Sequence, residues 1–427
     1  MKAGFAEIDI TPPVGTHKIG WLKDIVSESV QDPLFARCAI LEQGKERVAF
    51  IQFDLLSIRW TQVNDLRQRI QARYGFPGNR IMVVATHNHA GPAVSNIGAV
   101  ARDEAYIESL VKKCVELFGS ALKARRGAVM GFGSVLDFEI AHNRRIRMRD
   151  GTTKTHGSFS DPNALCVEGP MDPEVAVFGV KDLKGRWLGL LANYACHPTH
   201  QGGTTALSAG YPGVFSRVLK AQGVPVAIFI NGAAGNIHHN NPMRAWNMEA
   251  EEAGSKLAAD ALAAVPKMAF TGKWALDGAV ATVKLPYRKL TKDEMAGTVR
   301  GAQRFVDPVI YDRAMPKLAA RIRERKTQPA EVQVLRLGGV MVAAIPAEYF
   351  VEHGLRIKEQ AWPAHALVAG FSNGMVGYVP TVEAFKRSGY ETTLGPPSRL
   401  APEAGDILAD TALRLIRKLG RKATPVA

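Results

Sequence analysis

The 427-residue sequence lacks the features that identify membrane, secreted and disulfide-stabilised proteins. It has no run of about 18 apolar residues, so we expect no transmembrane helix. No apolar segment follows Lys2, so we expect no signal peptide and a cytoplasmic location. The cysteines are too few for a disulfide framework and have no CxxC spacing, which suits a reducing compartment. They are Cys38, Cys114, Cys166 and Cys196.

Signatures of several catalytic and nucleic-acid-binding classes are also missing. There is no GxSxG segment, so a serine triad of the α/β-hydrolase type is disfavoured. Residues 231–236 (NGAAGN) have the composition of a phosphate-binding loop but match neither the P-loop nor GxGxxG. No homeodomain, zinc-finger or RNA-binding fingerprint occurs. The chemistry must therefore be sought in other polar residues.

Basic residues outnumber acidic residues by 54 to 40, which gives a formal net charge of +14. An excess of this size either attracts an anionic partner or forms a generally basic, hydrated surface. The densest basic cluster, 321–326 (RIRERK), includes Glu324 and no aromatic residue. Because binders of single strands interleave aromatic residues with basic ones, we expect no specific nucleic-acid partner.

The apolar and charged fractions, 46% and 22%, indicate a globular protein rather than a disordered, collagen-like or coiled-coil one. Strands are predicted at 5–10, 38–41, 48–53, 81–85, 175–180, 187–194, 224–230, 273–284, 331–337 and 340–345, and helices at 60–74, 103–123, 211–222, 248–265, 291–326, 349–360 and 403–419. This order predicts an α/β (mixed α+β) fold in which helices flank a large mixed sheet. With no internal repeat or linker, we expect one domain over 1–427, ending in a frayed basic tail at 420–427.

The most informative polar segment is 85–92 (ATHNHAGP), directly after the predicted buried strand 81–85. Residues two apart in an extended chain face the same side, so His87 and His89 are expected to point together. Two such imidazoles are a natural start for a site for zinc or a similar metal. The alternative is a pair of surface histidines in a polar turn.

A second histidine, His197, follows another predicted strand in the segment NYACHPTH. Pro198 fixes the backbone just after it. Alternation places Cys196 on the opposite side from His197, so we interpret Cys196 as a core residue. His200 is interpreted as a turn residue.

Two carboxylates also follow predicted strands. Glu348, in the segment IPAE, can complete a catalytic zinc site of two histidines and one glutamate. It can equally be an acidic residue that stabilises the N-terminus of the helix at 349–360. Asp54 follows the strand 48–53 and is either a functional carboxylate or a helix N-cap.

A glycine-rich segment, 370–380, leads to Tyr378, and Tyr390 follows soon after. Glycine allows the backbone to approach a ligand closely. The two phenols are candidate metal ligands or proton donors, or else core tyrosines with hydrogen-bonded hydroxyls.

Taken together, these segments resemble the neutral (non-lysosomal) ceramidase family. The matching segments run in a specific order over nearly the whole chain. They are GFAEIDITPPVG (4–15), ATHNHAGP (85–92), HNRR (142–145), NYACHPT (193–199), NGAAGN (231–236), IPAE (345–348) and GYVPTVEAFKRSGYE (377–391).

The resemblance implies a mixed α/β catalytic domain that holds one catalytic Zn²⁺. The metal ligands that it implies are His87 of THxH, His197 of HPT, Glu348 of PxE and Tyr378 of GYxxT. His89 would lie beside the metal as a catalytic group. A zinc ion with two neutral imidazoles and one carboxylate keeps a positive charge, which lowers the pKa of a bound water.

The resemblance further implies that Arg144 and Tyr390 line the site and steady the scissile carbonyl or its oxyanion. The expected function is zinc-dependent hydrolysis of an N-acyl amide by a metal-activated water. The substrate would be a small or lipid-like N-acyl compound, which includes anionic compounds. The sequence leaves open whether the protein forms a homo-oligomer. Alternatives are a metal-dependent esterase or deacetylase, or a non-catalytic binding scaffold of the same fold.

Three departures from the family pattern shape these expectations. True ceramidases carry a C-terminal immunoglobulin-like domain and are typically secreted, whereas from this sequence we expect neither that domain nor a signal peptide. The family carries a serine in a GDxSPN loop, whereas 231–236 reads NGAAGN, which excludes a serine nucleophile there. A TIM-barrel amidohydrolase, which places HxH on its first strand, is a weaker alternative because HxH here follows several strands.

Overall fold

The computed structural model describes residues 1–244, 247–305 and 308–421. Eight long strands form the main sheet: β1 (Lys2–Asp9), β2 (Phe35–Gln43), β3 (Glu46–Phe53), β4 (Ile81–Ala85), β5 (Arg126–Leu136), β6 (Glu174–Asp182), β7 (Trp187–Tyr194) and β8 (Ala227–Asn231). Their spatial order is β8-β7-β6-β5-β1-β2-β3-β4. β3 and β4 are parallel, as are β7 and β8, and the other neighbours are antiparallel.

A second sheet contains β9 (Leu276–Pro286), β10 (Thr327–Leu337), β11 (Val340–Ala344) and β12 (His365–Ala369), in that spatial order. The helices are α1 (Trp60–Tyr74), α2 (Glu104–Lys123), α3 (Gly210–Ala221), α4 (Ala250–Ala264), α5 (Lys292–Ala296), α6 (Pro308–Arg325), α7 (Val351–Gln360), α8 (Val382–Arg387) and α9 (Ala404–Gly420). Short strands lie at His17–Ile19, Ile25–Val26, Ser29–Val30, Gly91–Pro92, His142–Asn143, Arg145–Met148, Thr153–Thr155, Ala164–Val167, Ala206–Leu207, Ile237–His238, Glu348–Tyr349 and Tyr378–Val379.

One succession of elements occurs three times along the chain. Each unit has three successive antiparallel strands, a helix, a fourth strand parallel to the third, and a further helix. Unit 1 spans 2–123, unit 2 spans 126–264 and unit 3 spans 276–420. This repetition lies in the order and pairing of the elements, whereas the sequence itself shows no internal repeat. The units share the order of their elements but not their residues, and unit 3 carries the extra helices α5, α6 and α8.

The fourth strands of the three units meet at their C-terminal ends. Asn231 Nδ2 donates a hydrogen bond to Thr86 O at 2.9 Å, and Gly370 N donates to Asn231 O at 2.9 Å. Ala85 N donates to Phe371 O at 3.2 Å. Buried apolar residues of all three units also form one continuous cluster beneath these ends. The segments that follow β4, β8 and β12 are therefore held at one place.

The two helices of each unit pack together in the same way. In every unit an arginine of the first helix, half-buried in units 1 and 3 and exposed in unit 2, pairs with an acidic residue of the second. The pairs are Arg69–Glu108 in unit 1, Arg217–Glu251 in unit 2 and Arg356–Asp406 in unit 3.

The predicted helix at 291–326 is wrong in its middle. Thr291 caps α5 as expected, since its Oγ1 accepts a hydrogen bond from Glu294 N at 3.1 Å. The helix then stops at Gly297, which adopts a left-handed φ of 69° that favours glycine. A second helix, α6, follows at Pro308–Arg325.

Other boundaries differ by a few residues. The strand predicted at 224–230 begins at Ala227, since Pro225 has no N–H to give to the ladder. The hairpin with its Gly338-Gly339 turn is confirmed between β10 and β11. The helix predicted at 403–419 is observed as α9, and residues 422–427 of the predicted tail lie outside the described residues.

The mixed α/β class and the large mixed sheet are confirmed. A TIM barrel is wrong, because most neighbouring strands of the main sheet are antiparallel. Within the described residues, none of the helices has the length and apolar character needed to cross a membrane.

Candidate metal centre

Three imidazole rings converge where units 1 and 2 meet. His87 and His89 follow β4, and His197 follows β7. One ring nitrogen of each lies within 4.8 Å of those of the other two. His87 and His197 are buried, and His89 is half-buried. Two sequence motifs that lie more than 100 residues apart therefore meet at one point.

A backbone carbonyl determines which nitrogen of each ring carries the proton. The Nδ1–carbonyl distances are 2.8 Å from His87 to Leu56, 2.8 Å from His197 to Ala234 and 2.9 Å from His89 to Gly20. Because a carbonyl only accepts, each Nδ1 carries a proton and donates it. Each Nε2 therefore keeps its lone pair, the state in which imidazole binds a metal.

These lone pairs face one another across short gaps. Nε2 of His87 and Nε2 of His197 are 2.9 Å apart, and Glu348 Oε2 lies 3.4 and 3.5 Å from them. All three atoms are acceptors with no proton left to place between them. Nε2 of His89 is buried and has no hydrogen-bond partner among the described residues. This donor set fits a divalent metal of the zinc type, because one cation satisfies the facing lone pairs of His87, His197 and Glu348.

The ionisation states agree with that assignment. Burial, together with the neighbouring His87 and Arg144, lowers the pKa of His197 to about 4. Burial also lowers the pKa of His89 well below its usual value. Burial raises the pKa of the Glu348 carboxyl, but the adjacent histidine rings lower it by more, so it lies well below its usual value. Neutral imidazoles and an ionised carboxylate are the forms that metals bind.

His87 and His89 come together for a reason other than the predicted alternation. β4 ends at Ala85, and His87 adopts a left-handed φ of 68°. Histidine is one of the residues found more often in this region. The two rings then lie edge to face, with centroids 4.8 Å apart. A tight turn after the strand, rather than an extended segment, therefore produces the convergence.

Tyr378 lies beside Glu348 because their short strands pair in parallel, in register with each other. Arg144 Nη2 donates a hydrogen bond to the Tyr378 hydroxyl at 3.1 Å. Burial, and then the charge of Glu348, raises the pKa of this phenol well above its usual value. The phenol of Tyr378 therefore stays protonated unless a cation is bound beside it.

Arg144 is held on its other side by a buried ion-pair network. Its Nε donates to Glu391 Oε1 at 2.8 Å. Arg145 Nη1 and Thr155 Oγ1 donate to the other oxygen of the same carboxylate, at 2.6 and 2.7 Å. Burial raises the pKa of Glu391, but Arg145 and Arg144 lower it to about 2. Glu391 therefore stays ionised and fixes the direction of the Arg144 guanidinium.

Tyr390 closes the same side of the site. Its ring meets that of Tyr378 edge to face, with centroids 5.6 Å apart, and stacks on Phe305 at 4.7 Å. Burial raises the pKa of the Tyr390 phenol well above its usual value. Arg144 and the two tyrosines, which lie in distant segments of the sequence, thus form one polar and aromatic wall.

The segment 231–236 supports the site through its backbone rather than as a phosphate loop. The carbonyl of Ala234 fixes His197, and that of Gly235 accepts from Arg144 Nη2 at 2.8 Å. A Cβ at Gly235 would lie 2.4 Å from the backbone oxygen of Glu348, so a larger residue does not fit there. The segment contains no serine, so it supplies no serine nucleophile. Its backbone carbonyls instead orient His197 and Arg144.

Asp54 is neither a site residue nor a helix N-cap. It forms a buried ion pair with Arg37 at 2.9 Å and accepts a hydrogen bond from Gln52 Nε2 at 2.8 Å. The N-cap of α1 is Arg59. Asp54 instead anchors the start of the segment whose carbonyl at Leu56 fixes His87.

The remaining predictions for this region concern Cys196 and His200. Cys196 lies in a buried apolar cluster, as interpreted from the sequence. His200 lies in a turn, but its ring is not free: Nε2 donates to Met248 O at 3.0 Å, and the ring stacks on His239 with centroids 3.6 Å apart.

Sequence reasoning missed three histidines close to the centre. His238 stacks on His197 with centroids 6.4 Å apart, and Thr199 bridges His238 and His239 through Oγ1. His156 meets His238 edge to face at 4.6 Å. The paired histidines of NIHHN, just after a predicted strand, were an available signal, whereas nothing in the sequence singles out His156.

Comparison with known proteins identifies relatives of one kind. No protein-family model matches the chain. The neutral ceramidase of Drosophila melanogaster is 21% identical in an alignment that covers 99% of this chain and 75% of the relative. The neutral ceramidase of Pseudomonas aeruginosa is 21% identical over 92% of this chain and 68% of the relative.

Solved structures agree with these relatives. The crystal structure of neutral ceramidase from Pseudomonas aeruginosa superposes with a TM-score of 0.76 and 19% identity, covering 100% of this chain and 75% of that one. A ceramidase complexed with C2 gives a TM-score of 0.78 and 18% identity, covering 100% of this chain and 76% of that one. The fold and the resemblance to the neutral ceramidase family are therefore confirmed.

Proposed function

The chain is a relative of the neutral ceramidases in sequence and in fold, and we propose that it is a metal-dependent hydrolase that cleaves an N-acyl amide bond. One observation carries the proposal. The Nε2 lone pairs of His87, His89 and His197 converge beside the Glu348 carboxylate, and each Nδ1 proton is committed to a carbonyl. Such a set of acceptors needs a cation.

We assign His87, His197, Glu348 and Tyr378 as the residues that hold one zinc ion. A divalent ion bound there supplies Lewis-acid activation of water. Two imidazoles and one carboxylate are a common donor set of catalytic zinc sites. Tyr378 lies next to Glu348 in the paired short strands, which supports its place in the set.

Arg144 and Tyr390 line the side of the site that receives the scissile carbonyl. Arg144 Nη2 donates to the Tyr378 oxygen, which holds the guanidinium beside the metal centre. A fixed guanidinium and the neutral phenol of Tyr390 stabilise negative charge that develops on the carbonyl oxygen. Glu391 keeps the guanidinium in place, so little reorganisation is needed during the reaction.

His89 is the residue best placed to move a proton. Its ring is neutral, its Nδ1 proton is held by Gly20 O, and its Nε2 lone pair is free. An imidazole in this state accepts a proton from water and passes it to the leaving amine, as general base and then general acid. The segment 231–236 offers no serine, which supports direct attack by water.

For the substrate, we propose a lipid-like N-acyl amine. The named activity of the relatives supports this class, and the net charge of +14 favours approach to an anionic substrate or surface.

The first experiment is metal analysis of the purified wild type beside the His87→Ala/His197→Ala double variant. We expect about one zinc ion per chain in the wild type and none in the variant. A His17→Ala/His365→Ala protein, altered at two histidines outside the converging group, is the matched control and should keep its zinc. Assays with N-acyl amides and matched esters then follow. A wild type that binds no zinc even after incubation with the metal contradicts the proposal and favours a binding scaffold.

A further inference from the structure

His156 differs from every other histidine of the chain. All eleven histidines lie within the described residues, and His156 is the one whose ring makes no hydrogen bond or ion pair with them. Its side chain is exposed, and its backbone has a left-handed φ of 55°. A residue other than glycine adopts this strained conformation only where its surroundings hold it there, and such residues cluster at functional sites.

The surroundings do hold it. His156 N donates to Arg144 O at 2.8 Å. The preceding residue, Thr155, is fixed twice: its Oγ1 donates to Glu391 Oε2 at 2.7 Å, and its N donates to Gln303 Oε1 at 3.1 Å. The network that orients the Arg144 guanidinium therefore also fixes the position of the free imidazole.

The ring of His156 completes a continuous wall of aromatic rings beside the metal centre. On one side it meets His238, which stacks on the metal-site residue His197. On the other side it faces Phe305, with centroids 5.9 Å apart, and Phe305 stacks on Tyr390. His156 thus lies in the wall at a position from which its unpaired nitrogens can meet a substrate bound at the centre.

We propose that His156 is a specificity-determining residue that hydrogen-bonds a hydroxyl group on the amine half of the substrate. A neutral imidazole offers one N–H donor and one lone pair, which matches a hydroxyl group, itself both donor and acceptor. A fatty acyl chain offers no polar atom beyond its carbonyl, so the contact falls on the amine half. This inference rests on the proposed function, since it assumes that an N-acyl amine binds beside His197.

The test compares three substrates with one acyl chain: an N-acyl amino alcohol, an N-acyl alkylamine of the same length and an N-acyl amino acid. The variant is His156→Asn, because asparagine readily adopts a left-handed φ and its short amide does not reach as far as the imidazole. We expect kcat/KM to fall about 10-fold for the amino alcohol, mainly through KM, and by less than about 2-fold for the alkylamine. Equal losses for all three substrates, or a loss that falls on the amino acid derivative, overturn the proposal.

Two controls separate this result from a structural effect. Zinc content should be the same in His156→Asn and in the wild type. His365→Asn, which alters an exposed, ion-paired histidine at the start of β12, should leave all three rates unchanged.

A binding measurement keeps this inference separate from the proposed function. Calorimetric titration of the free amino alcohol into zinc-loaded protein needs no turnover. We expect affinity about 10-fold lower in His156→Asn than in the wild type, and no difference for the alkylamine. A wild type that binds the amino alcohol but hydrolyses none of the amides contradicts the proposed function alone. Equal affinities of the two proteins contradict the role of His156.

Discussion

Units 1 and 2 have the same succession of elements, yet they place the histidines of the candidate metal centre after different strands. In unit 1, His87 follows the fourth strand, and the carbonyl that fixes its ring belongs to Leu56, just after the third strand. In unit 2, His197 follows the third strand, and the fixing carbonyl belongs to Ala234, just after the fourth. The proposed ligand and the carbonyl that supports it have exchanged places between the two units.

This exchange shows what the repeated unit contributes. In each unit the third and fourth strands are parallel, so their C-terminal ends lie side by side. Thr86 N donates to Phe53 O, and Gly232 N donates to Tyr194 O, each at 2.9 Å, at equivalent positions of the two units. One end can then carry a ligand while its neighbour supplies the carbonyl that orients it. The repeated unit places the C-terminal ends of its third and fourth strands side by side. The residue types at these two ends then decide which end carries the histidine and which supplies the carbonyl.

The largest effect is expected when His87 or His197 is replaced, and comparing the two variants tests whether units 1 and 2 contribute equally to metal binding. His87→Ala and His197→Ala should each lose the bound zinc and reduce amide hydrolysis by about 1000-fold, because each removes one ligand of the same ion. Metal content and kcat/KM are to be measured for both, with His365→Ala as the control. A variant that kept both its zinc and its activity would show that only one unit supplies an essential ligand.

The second prediction removes a support rather than a ligand. Asn231, at the end of β8, donates to Thr86 O and Cys196 O and accepts from Cys196 N. Asn231→Ala leaves these buried groups unpaired, so we expect the free energy of unfolding to fall by about 2–4 kcal/mol. Zinc affinity should fall about 10-fold, since Thr86 and Cys196 directly precede ligands.

Urea unfolding and zinc titration measure the two effects of Asn231→Ala. Asn96→Ala, in an exposed loop where Asn96 accepts a single hydrogen bond from Arg102 N, is the control and should change neither. If Asn231→Ala is destabilised but binds zinc with wild-type affinity, the Asn231 side chain stabilises the fold without positioning the residues that bind the metal.

The third prediction concerns the acid that joins unit 3 to Arg144 and Arg145 of unit 2. In the folded protein Glu391 has a pKa of about 2, below the value of about 4.3 expected in the unfolded chain. Between about pH 4.5 and 2 the unfolded state therefore binds more protons than the folded state, so the free energy of unfolding falls as the pH is lowered through this interval. Glu391→Gln should be less stable at pH 7 and should lose less stability over that interval. The free energy of unfolding is to be measured against pH for both proteins. The same loss of stability between about pH 4.5 and 2 in both would contradict the lowered pKa of Glu391.

The smallest effect is expected at the helix pairs that all three units share. Arg69→Ala, Arg217→Ala and Arg356→Ala each remove a solvent-accessible ion pair between the two helices of one unit. Solvent and salt screen such pairs, so thermal unfolding should change little in any of them. A large loss in one variant would show that its unit depends on the pair in a way that the others do not.

The sequence predicted much of the site because its residues directly follow strands. Apolar runs marked the ends of β4, β7 and β11, and His87, His197 and Glu348 were found from those ends together with the family resemblance. Asp54 stood at the same kind of position and proved to be structural, because its partner Arg37 lies on β2, where local sequence gives no sign of the pair.

Other features depended on contacts between distant segments. Gly297 was a visible signal that the predicted helix at 291–326 breaks. The repetition of the three units could not be predicted, because the units share the order and pairing of their strands and not their residues. His156 gave no signal at all. Its importance comes from a left-handed backbone held by Arg144 and from rings supplied by segments up to about 150 residues away.

The sequence by itself determined the mixed α/β class, most strand and helix positions, and the residue types able to bind a metal, since these follow from local apolar periodicity and from side-chain chemistry. Tertiary structure decided which of those residues meet. Hydrogen bonds among Ala85, Phe371, Asn231, Thr86 and Gly370 join three strand ends, and three backbone carbonyls then select the Nδ1–H form of each imidazole. Those bonds link residues far apart in the chain, and their geometry exists only once the three units have packed together.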